Sequence, residues 1–152
     1  MNRTDSIIPE LCVHDGLASL EFYKRAFGAH EHKRMMTPDG AKLLHAELSV
    51  GGHRLVVFDE FSANERGTLR CPRTLGGTGV RLILQVDDAD AVVQQAVAAG
   101  ASVMIPVTKM FWGARYGKLE DPYGHEWGIN QQLEELSAAE EAARAAQFFS
   151  NR

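Results

Sequence analysis

The sequence predicts an α+β domain in which two tandem βαβββ modules form a cup-shaped mixed sheet, followed by a C-terminal helix. Two observations lead there. First, the chain repeats itself: Gly51-Gly52-His53-Arg54-Leu55 returns as Tyr123-Gly124-His125-Glu126-Trp127, His125 lying 72 residues after His53, and Gly28-Ala29 returns at the same spacing as Gly100-Ala101. With one inserted residue, Leu11-Cys12-Val13-His14-Asp15 aligns with Leu84-Gln85-Val86-Asp87-Asp88. Second, the apolar pattern around these landmarks passes through one order of elements twice. A recurrence of this length marks a duplicated structural unit.

In the first unit, Ile7 to Val13 reads as a strand, and Asp15 caps a helix whose Leu17, Leu20, Tyr23 and Phe27 share a face. Gly28 stops that helix. Strands follow near Lys33 to Met36, from Lys42 to Val50 and from His53 to Phe58, the last two joined by the Gly51-Gly52 turn. The second unit runs from a strand at Val80 to Val86, through an Asp88-capped helix with Val92, Val93, Ala96 and Val97 inward, to a stop at Gly100. Its remaining strands fall near Ser102 to Thr108, Tyr116 to Glu120 and His125 to Gln131. The modules thus cover about 6–61 and 80–132. Residues 62–79, rich in Gly, Pro, Arg and Thr without periodicity, read as the linker. Ser137-Ala138-Ala139-Glu140 is a capping box that opens an Ala-rich helix over about 136–149, ending at Phe148 and Phe149. Such a tail docks on its own domain or on a second subunit.

At 152 residues, 45% apolar and 24% charged, the chain is sized and composed for a single globular domain without disulfides. A formal charge of -4 with scattered Lys and Arg offers no basic stripe for a phosphate backbone, so nucleic acid is not an expected partner. No window approaches a membrane span and Met1 to Ser6 begins no leader-like apolar stretch; the expectation is a cytoplasmic protein without a membrane partner. Cys12 and Cys71 form no Cys-x-x-Cys pair and read as free thiols. Phosphate loops, nucleophile elbows and helical His-Glu-x-x-His motifs are absent.

A duplicated βαβββ chain with Asp121-Pro122-Tyr123-Gly124 before its last strand resembles the vicinal oxygen chelate superfamily of glyoxalases, extradiol dioxygenases, fosfomycin-resistance enzymes and bleomycin-binding proteins. The resemblance covers roughly residues 6–132. More narrowly, His45-Ala46-Glu47-Leu48, Phe111-Trp112-Gly113-Ala114-Arg115-Tyr116-Gly117 and Asp121-Pro122-Tyr123-Gly124-His125 are similar to the PhnB-like branch. The resemblance implies, for the superfamily's metal enzymes, His and Glu ligands on the first and last strands of each module. Counting five residues back from the Val closing each first strand gives Ile8 and Arg81; counting four on from each turn glycine gives Val56 and Gly128. None is a normal metal ligand. A slip of two residues would supply only Glu10 and Glu126, so the expectation is a chain with no metal and no cofactor.

Strand alternation then decides what the open face offers. Leu11 and Val13 turn toward the helix and Ile8, Glu10 and Cys12 toward the cup; in the second module Arg81, Ile83 and Gln85 do the same, while Leu82, Leu84, Val86 and Trp127 go inward. Pairing across Gly51-Gly52 sets Glu47 opposite Val56 and His45 opposite Phe58. The predicted ligand-binding set is Glu10, His45, Glu47, Arg54, Phe58, Arg81, Trp112, Arg115 and Tyr116, beside Gln85, Glu126 and Asn130, with Phe111 to Gly117 as lid or rim. His45 and Glu47 are the candidate catalytic residues, an imidazole near carboxylates being suited to proton transfer. Alternatives stand beside each: His45 as a histidine bonded within the sheet, Glu10, His45 and Glu47 as an unconventional metal site, Phe111 to Gly117 as part of the core, Cys12 as a nucleophile rather than packing.

The resulting expectation is a homodimeric protein of the glyoxalase and bleomycin-resistance type that sequesters a small organic molecule, aromatic or anionic, without the usual metal site. The alternative is an enzyme on the same fold, a lyase, isomerase or dioxygenase that is metal-free or carries a noncanonical metal.

Overall fold

The computed structural model describes residues 6–152. In chain order the elements are β1 (Glu10–Val13), α1 (Gly16–Phe27), β2 (His30–Met36), β3 (Leu43–Val50), β4 (His53–Asp59), a 3-10 turn (Ala63–Glu65) and α2 (Pro72–Leu75). The second module follows as β5 (Arg81–Gln85), α3 (Ala89–Ala99), β6 (Ser102–Lys109), β7 (Ala114–Glu120) and β8 (Glu126–Gln132), and α4 (Ala138–Ser150) ends the chain. The mixed pairing takes the form of two four-stranded sheets, one per module, ordered β1-β4-β3-β2 and β5-β8-β7-β6. In each, the first and last strands pair in parallel and the other pairs are antiparallel.

Local chemistry explains most boundaries. Asp15 and Asp88 accept from Ala18 N and Ala91 N at the starts of α1 and α3, and Gly28, with φ 66°, ends α1 in the left-handed region that only glycine enters freely. β1 starts at Glu10 rather than Ile7 because Pro9 has no N–H to give; its carbonyl still accepts from Val56 N at 2.9 Å. Leu17, expected inside, is exposed. The cause is Gly16, whose N–H donates to Asp59 Oδ1 at 2.7 Å and which lies so close to Leu43 that a Cβ would meet it at 2.6 Å, turning Ser19, Leu20 and Tyr23 inward instead.

The inner faces of the two sheets share one core, with α1 and α3 packed against each other inside it. Tyr23 and Phe27 of α1 meet Trp127 of β8 at ring-centroid distances of 5.6 and 4.7 Å. Beneath them Asp121, almost fully buried, accepts four hydrogen bonds: Tyr23 Oη at 2.5 Å and Trp127 Nε1 at 3.0 Å on Oδ2, and the backbone N–H groups of Tyr123 and His125 on Oδ1. This carboxylate ties the helix of one module to the last hairpin of the other. It also pushes the Tyr23 phenol well above the ordinary tyrosine range, after burial and before the neighbouring Tyr123 among the causes.

Residues 62–79 are not a bare connection. They hold the 3-10 turn and α2, and α2 sits beside β1. α4 is held more loosely, by an Arg144–Glu134 ion pair of 2.7 Å and by Phe148 against Phe111 at 4.9 Å, with Phe149 turned to solvent. Among the described residues no helix is long and apolar enough to cross a membrane.

Candidate functional site

Register distributes the predicted site residues over two faces, one per sheet. On the first, Glu10 and Glu47 flank Val56 from either side, and Cys12 stands beside Phe58. Glu10, His45 and Phe58 frame a pocket of about 540 Å³, whose remaining walls are Leu44 from β3, Thr37 just after β2, and Phe61 with residues 65–69 from the connecting segment. That segment folds back over the concave face. Its turn is a capping box in which Ser62 N donates to Glu65 Oε2 at 2.8 Å, and Gly67 N closes onto Ser62 O at 2.9 Å. Arg70 Nη1 fastens Phe61 O at 2.8 Å, and Lys42 Nζ lies 4.7 Å from the centre of the Phe61 ring.

His45, Glu47 and Arg54 form a chain at the open side. The His45 Nε2 atom is 3.3 Å from Glu47 Oε1, and Arg54 Nη2 donates to Glu47 Oε2 at 2.8 Å. His45 and Arg54, in that order, hold the Glu47 carboxyl below the usual carboxylate range against a smaller effect of desolvation. Glu47 therefore stays anionic and orients the imidazole, whose side chain is 34% exposed and reachable from the pocket. Cys12 is closed off. Leu69 O lies 3.9 Å from its sulfur, and burial first, then Cys71 and Glu60, push its thiol up to about 12, which removes the thiolate a nucleophile needs.

The second face carries Arg81, Ile83, Gln85, Glu126 and Asn130 as alternation requires, but they pair among themselves: Arg81 with Glu126 at 2.8 Å, Asn130 Nδ2 with Gln85 Oε1 at 2.7 Å. Arg81 is not brought to His45. The lid expected at Phe111 to Gly117 is not over the pocket either. Phe111 packs on Phe148 of α4 and Trp112 on Tyr116, while Arg115 points to the opposite side of the sheet and grips Asp90 of α3 through two bonds of 3.0 Å. The motif predicts Arg115 in the cup; its odd offset from Tyr116 along β7 sends it to the helix face instead. Tyr116 does face the concave side, its phenol lying across Gly128, where a Cβ would come within 2.6 Å of the hydroxyl.

Of the four positions counted from the strand ends, Ile8, Val56, Arg81 and Gly128, none is a metal ligand, and Arg81 is paired with Glu126. Glu10 is the neighbour of Val56 and Ile83 that of Gly128, and the space over Gly128 is taken by Tyr116. Among the described residues no three His, Cys, Asp or Glu side chains gather in a way that could hold a metal ion. The donor set does not fit the superfamily's metal centre.

The residues that sequence reasoning missed are those of the cover, Phe61, Leu69 and the turn between them. One signal was available: Ser62-Ala63-Asn64-Glu65 has the spacing of a capping box and marks an ordered turn inside the supposed linker.

Comparison with known proteins agrees with this architecture. Residues 4–129 match the family model described as the glyoxalase/bleomycin resistance protein/dioxygenase superfamily. The Mycobacterium tuberculosis protein Rv0887c, described as uncharacterized, is 38% identical over 148 residues, which are 97% of this chain and 86% of that protein. The crystal structure of the Arabidopsis thaliana gene product At5g48480 aligns at a TM-score of 0.66 with 30% identity, over 84% of this chain and 98% of the other. TioX from Micromonospora sp. ML1 aligns at 0.63 with 26% identity, over 88% and 100%.

Proposed function

The chain belongs to the glyoxalase/bleomycin resistance protein/dioxygenase superfamily, and from that premise we propose that it is a cytoplasmic member of the PhnB-like branch that binds a small organic molecule in the pocket over its first sheet. The observation that carries this reading is the pocket itself: about 540 Å³, within the range of small-molecule sites, under a cover built by the chain's own connecting segment. Its wall combines the apolar surfaces of Leu44, Phe58, Phe61 and Leu69 with the polar ends of Glu10, His45 and Arg66. A ligand with an aromatic body and one or two polar handles complements such a wall.

A thermal-shift screen of the full chain, followed by calorimetry on the hits, tests the reading. His45→Ala is expected to weaken the best hit by about tenfold or more, a hydrogen bond to a charged or polarised partner contributing roughly 1.5–3 kcal/mol, while the ligand-free melting temperature stays within about 2 °C. Hits that bind His45→Ala as tightly as the native chain would remove the pocket from consideration. The His45–Glu47 pair favours a second reading, in which the same pocket houses proton transfer with His45 as general base and Glu47 orienting it. Turnover of a bound hit, lost in His45→Ala, would select it.

We also propose a homodimer. Ile83, Val103, Met104 and Ile105 on the second sheet and Phe149 on α4 leave large apolar side chains between 39% and 64% exposed, more than one chain can cover. Sedimentation equilibrium at micromolar concentration should give twice the 16.7 kDa of one chain. A monomer mass across that range contradicts it.

A further inference from the structure

We infer that a second cavity, between the two modules, is a binding site for an aryl carboxylate whose anionic group is taken by Arg54. The cavity measures about 560 Å³ and is distinct from the pocket over the first sheet: no residue lines both. It is lined by residues 6–9 and the β3–β4 hairpin from the first module and by β5 and Trp127 from the second. Ile8, Val50, Leu55, Leu82 and Leu84 make it apolar, and with Trp127 in its wall it suits an aromatic body.

Charge decides the rest. Among the described residues no Asp or Glu lines the cavity; the one permanently charged residue there is Arg54, with His53 next to it and Ser6 and Gln85 as further polar side chains. Arg54 shares its charge with Glu47 but presents the rest of its guanidinium at the mouth of an apolar slot, which complements a single anionic group on an apolar body. Arg54 spends one Nη2 contact on Glu47 and is 59% exposed, so other N–H donors of its planar fork remain to receive a carboxylate.

The internal repeat supplies an independent argument that this gap is kept open. At the equivalent place in the other half, the outward carbonyl of Cys12 on β1 accepts from His125 Nε2 at 2.8 Å, Leu69 O approaches the Cys12 sulfur, and α2 packs beside the strand. The chain thus fills the space beside the Cys12 carbonyl with its own residues, the cavity on that side being lined instead by α2 and Pro122 to Gly124. His53 corresponds to His125 and Gln85 to Cys12, yet here both line the cavity and, among the described residues, no hydrogen bond joins them. β5 is an edge strand, and among the described residues no segment comparable to 69–75 lines the cavity beside it.

The test uses the full chain with biphenyl-4-carboxylate and the isosteric biphenyl-4-carboxamide, measured by calorimetry, with methyl NMR to locate them. The carboxylate should bind saturably and at least tenfold more tightly than the amide. Arg54→Gln, a change at an exposed position, should cut carboxylate affinity about tenfold, leave the amide unaffected and leave the melting temperature unchanged; Arg54→Lys should recover part of the loss. Val50, Leu82 and Leu84 methyl resonances should move. Equal affinity for acid and amide, or indifference to Arg54→Gln, would overturn the inference. So would shifts confined to Leu44 and Leu69, which would put the ligand in the first pocket and support that site alone. Val50 and Leu82 resonances that move with protein concentration in the absence of ligand would assign the gap to a second copy of the chain and also overturn it.

Discussion

Asp121→Ala should lower the melting temperature by about 8–16 °C, the largest effect of any single substitution outside the sheets. The carboxylate is 3% exposed and serves four donors at once: the Tyr23 phenol, the Trp127 indole and two backbone N–H groups of its own turn. Alanine leaves all four unpaired, three of them buried and the His125 N–H partly so. Each orphaned donor costs about 1–3 kcal/mol before relaxation, and with the turn partly rearranging to satisfy its backbone groups a net loss of about 4 kcal/mol is reasonable; a chain of this length loses about 2–4 °C per kcal/mol. Calorimetry of the purified variant gives the answer directly. Asp121→Asn, which keeps an acceptor for some of the donors, should fall between native and alanine. A decrease below about 3 °C for alanine would show that the carboxylate is not what joins the modules.

The second large effect is expected at Gly67. A Cβ there would lie 1.9 Å from the carbonyl oxygen of Phe61 and 2.5 Å from its carbon, distances no side-chain rearrangement relieves because both atoms are backbone. Gly67→Ala must therefore open the turn that Ser62, Glu65 and Arg70 close, and with it the cover over Glu10, His45 and Phe58. Stability should fall by about 1–3 kcal/mol, as for other overpacked positions. Affinity for ligands of the first pocket should fall more than tenfold, because Phe61 and Leu69 leave its wall. Hydrogen exchange should rise across residues 61–69 and stay low in β3 and β4. Unchanged ligand affinity in a variant whose 61–69 amides do exchange faster would separate the cover from binding.

What the sequence revealed follows the range of the forces involved. Caps and turns depend on neighbours a few residues apart, so Asp15, Asp88, Gly28 and the Gly51-Gly52 turn could be placed from the chain alone. Strand alternation is equally local and put Glu10, His45, Glu47 and Phe58 on one concave face with Glu47 opposite Val56. Motif is a poorer guide than alternation: it groups Arg115 with Tyr116, although the odd offset between them sends Arg115 toward Asp90. The relation between the two faces was out of reach. Whether Arg81 meets His45 depends on how two modules dock, a matter of Tyr23, Phe27, Trp127 and Asp121 finding one another across the chain, and no local pattern encodes that. The cover was hidden for a related reason: Gly and Pro richness announces irregular backbone but not whether that backbone returns to the sheet it left.

The bond from Tyr23 to Asp121 spans 98 residues and that from His125 to Cys12 spans 113, whereas each sheet closes its strand pairings within its own module. During synthesis this imposes an order. The first module can pair all its strands once residue 59 has emerged, but Phe22, Tyr23 and Phe27 must then wait for Tyr123 and Trp127, which at about 5–20 residues per second leaves an aromatic helix face bare for several seconds. Ribosome pausing between residues 79 and 127 would lengthen that interval, and a nascent chain arrested there is the form of this protein most prone to capture by a chaperone or by another chain like itself.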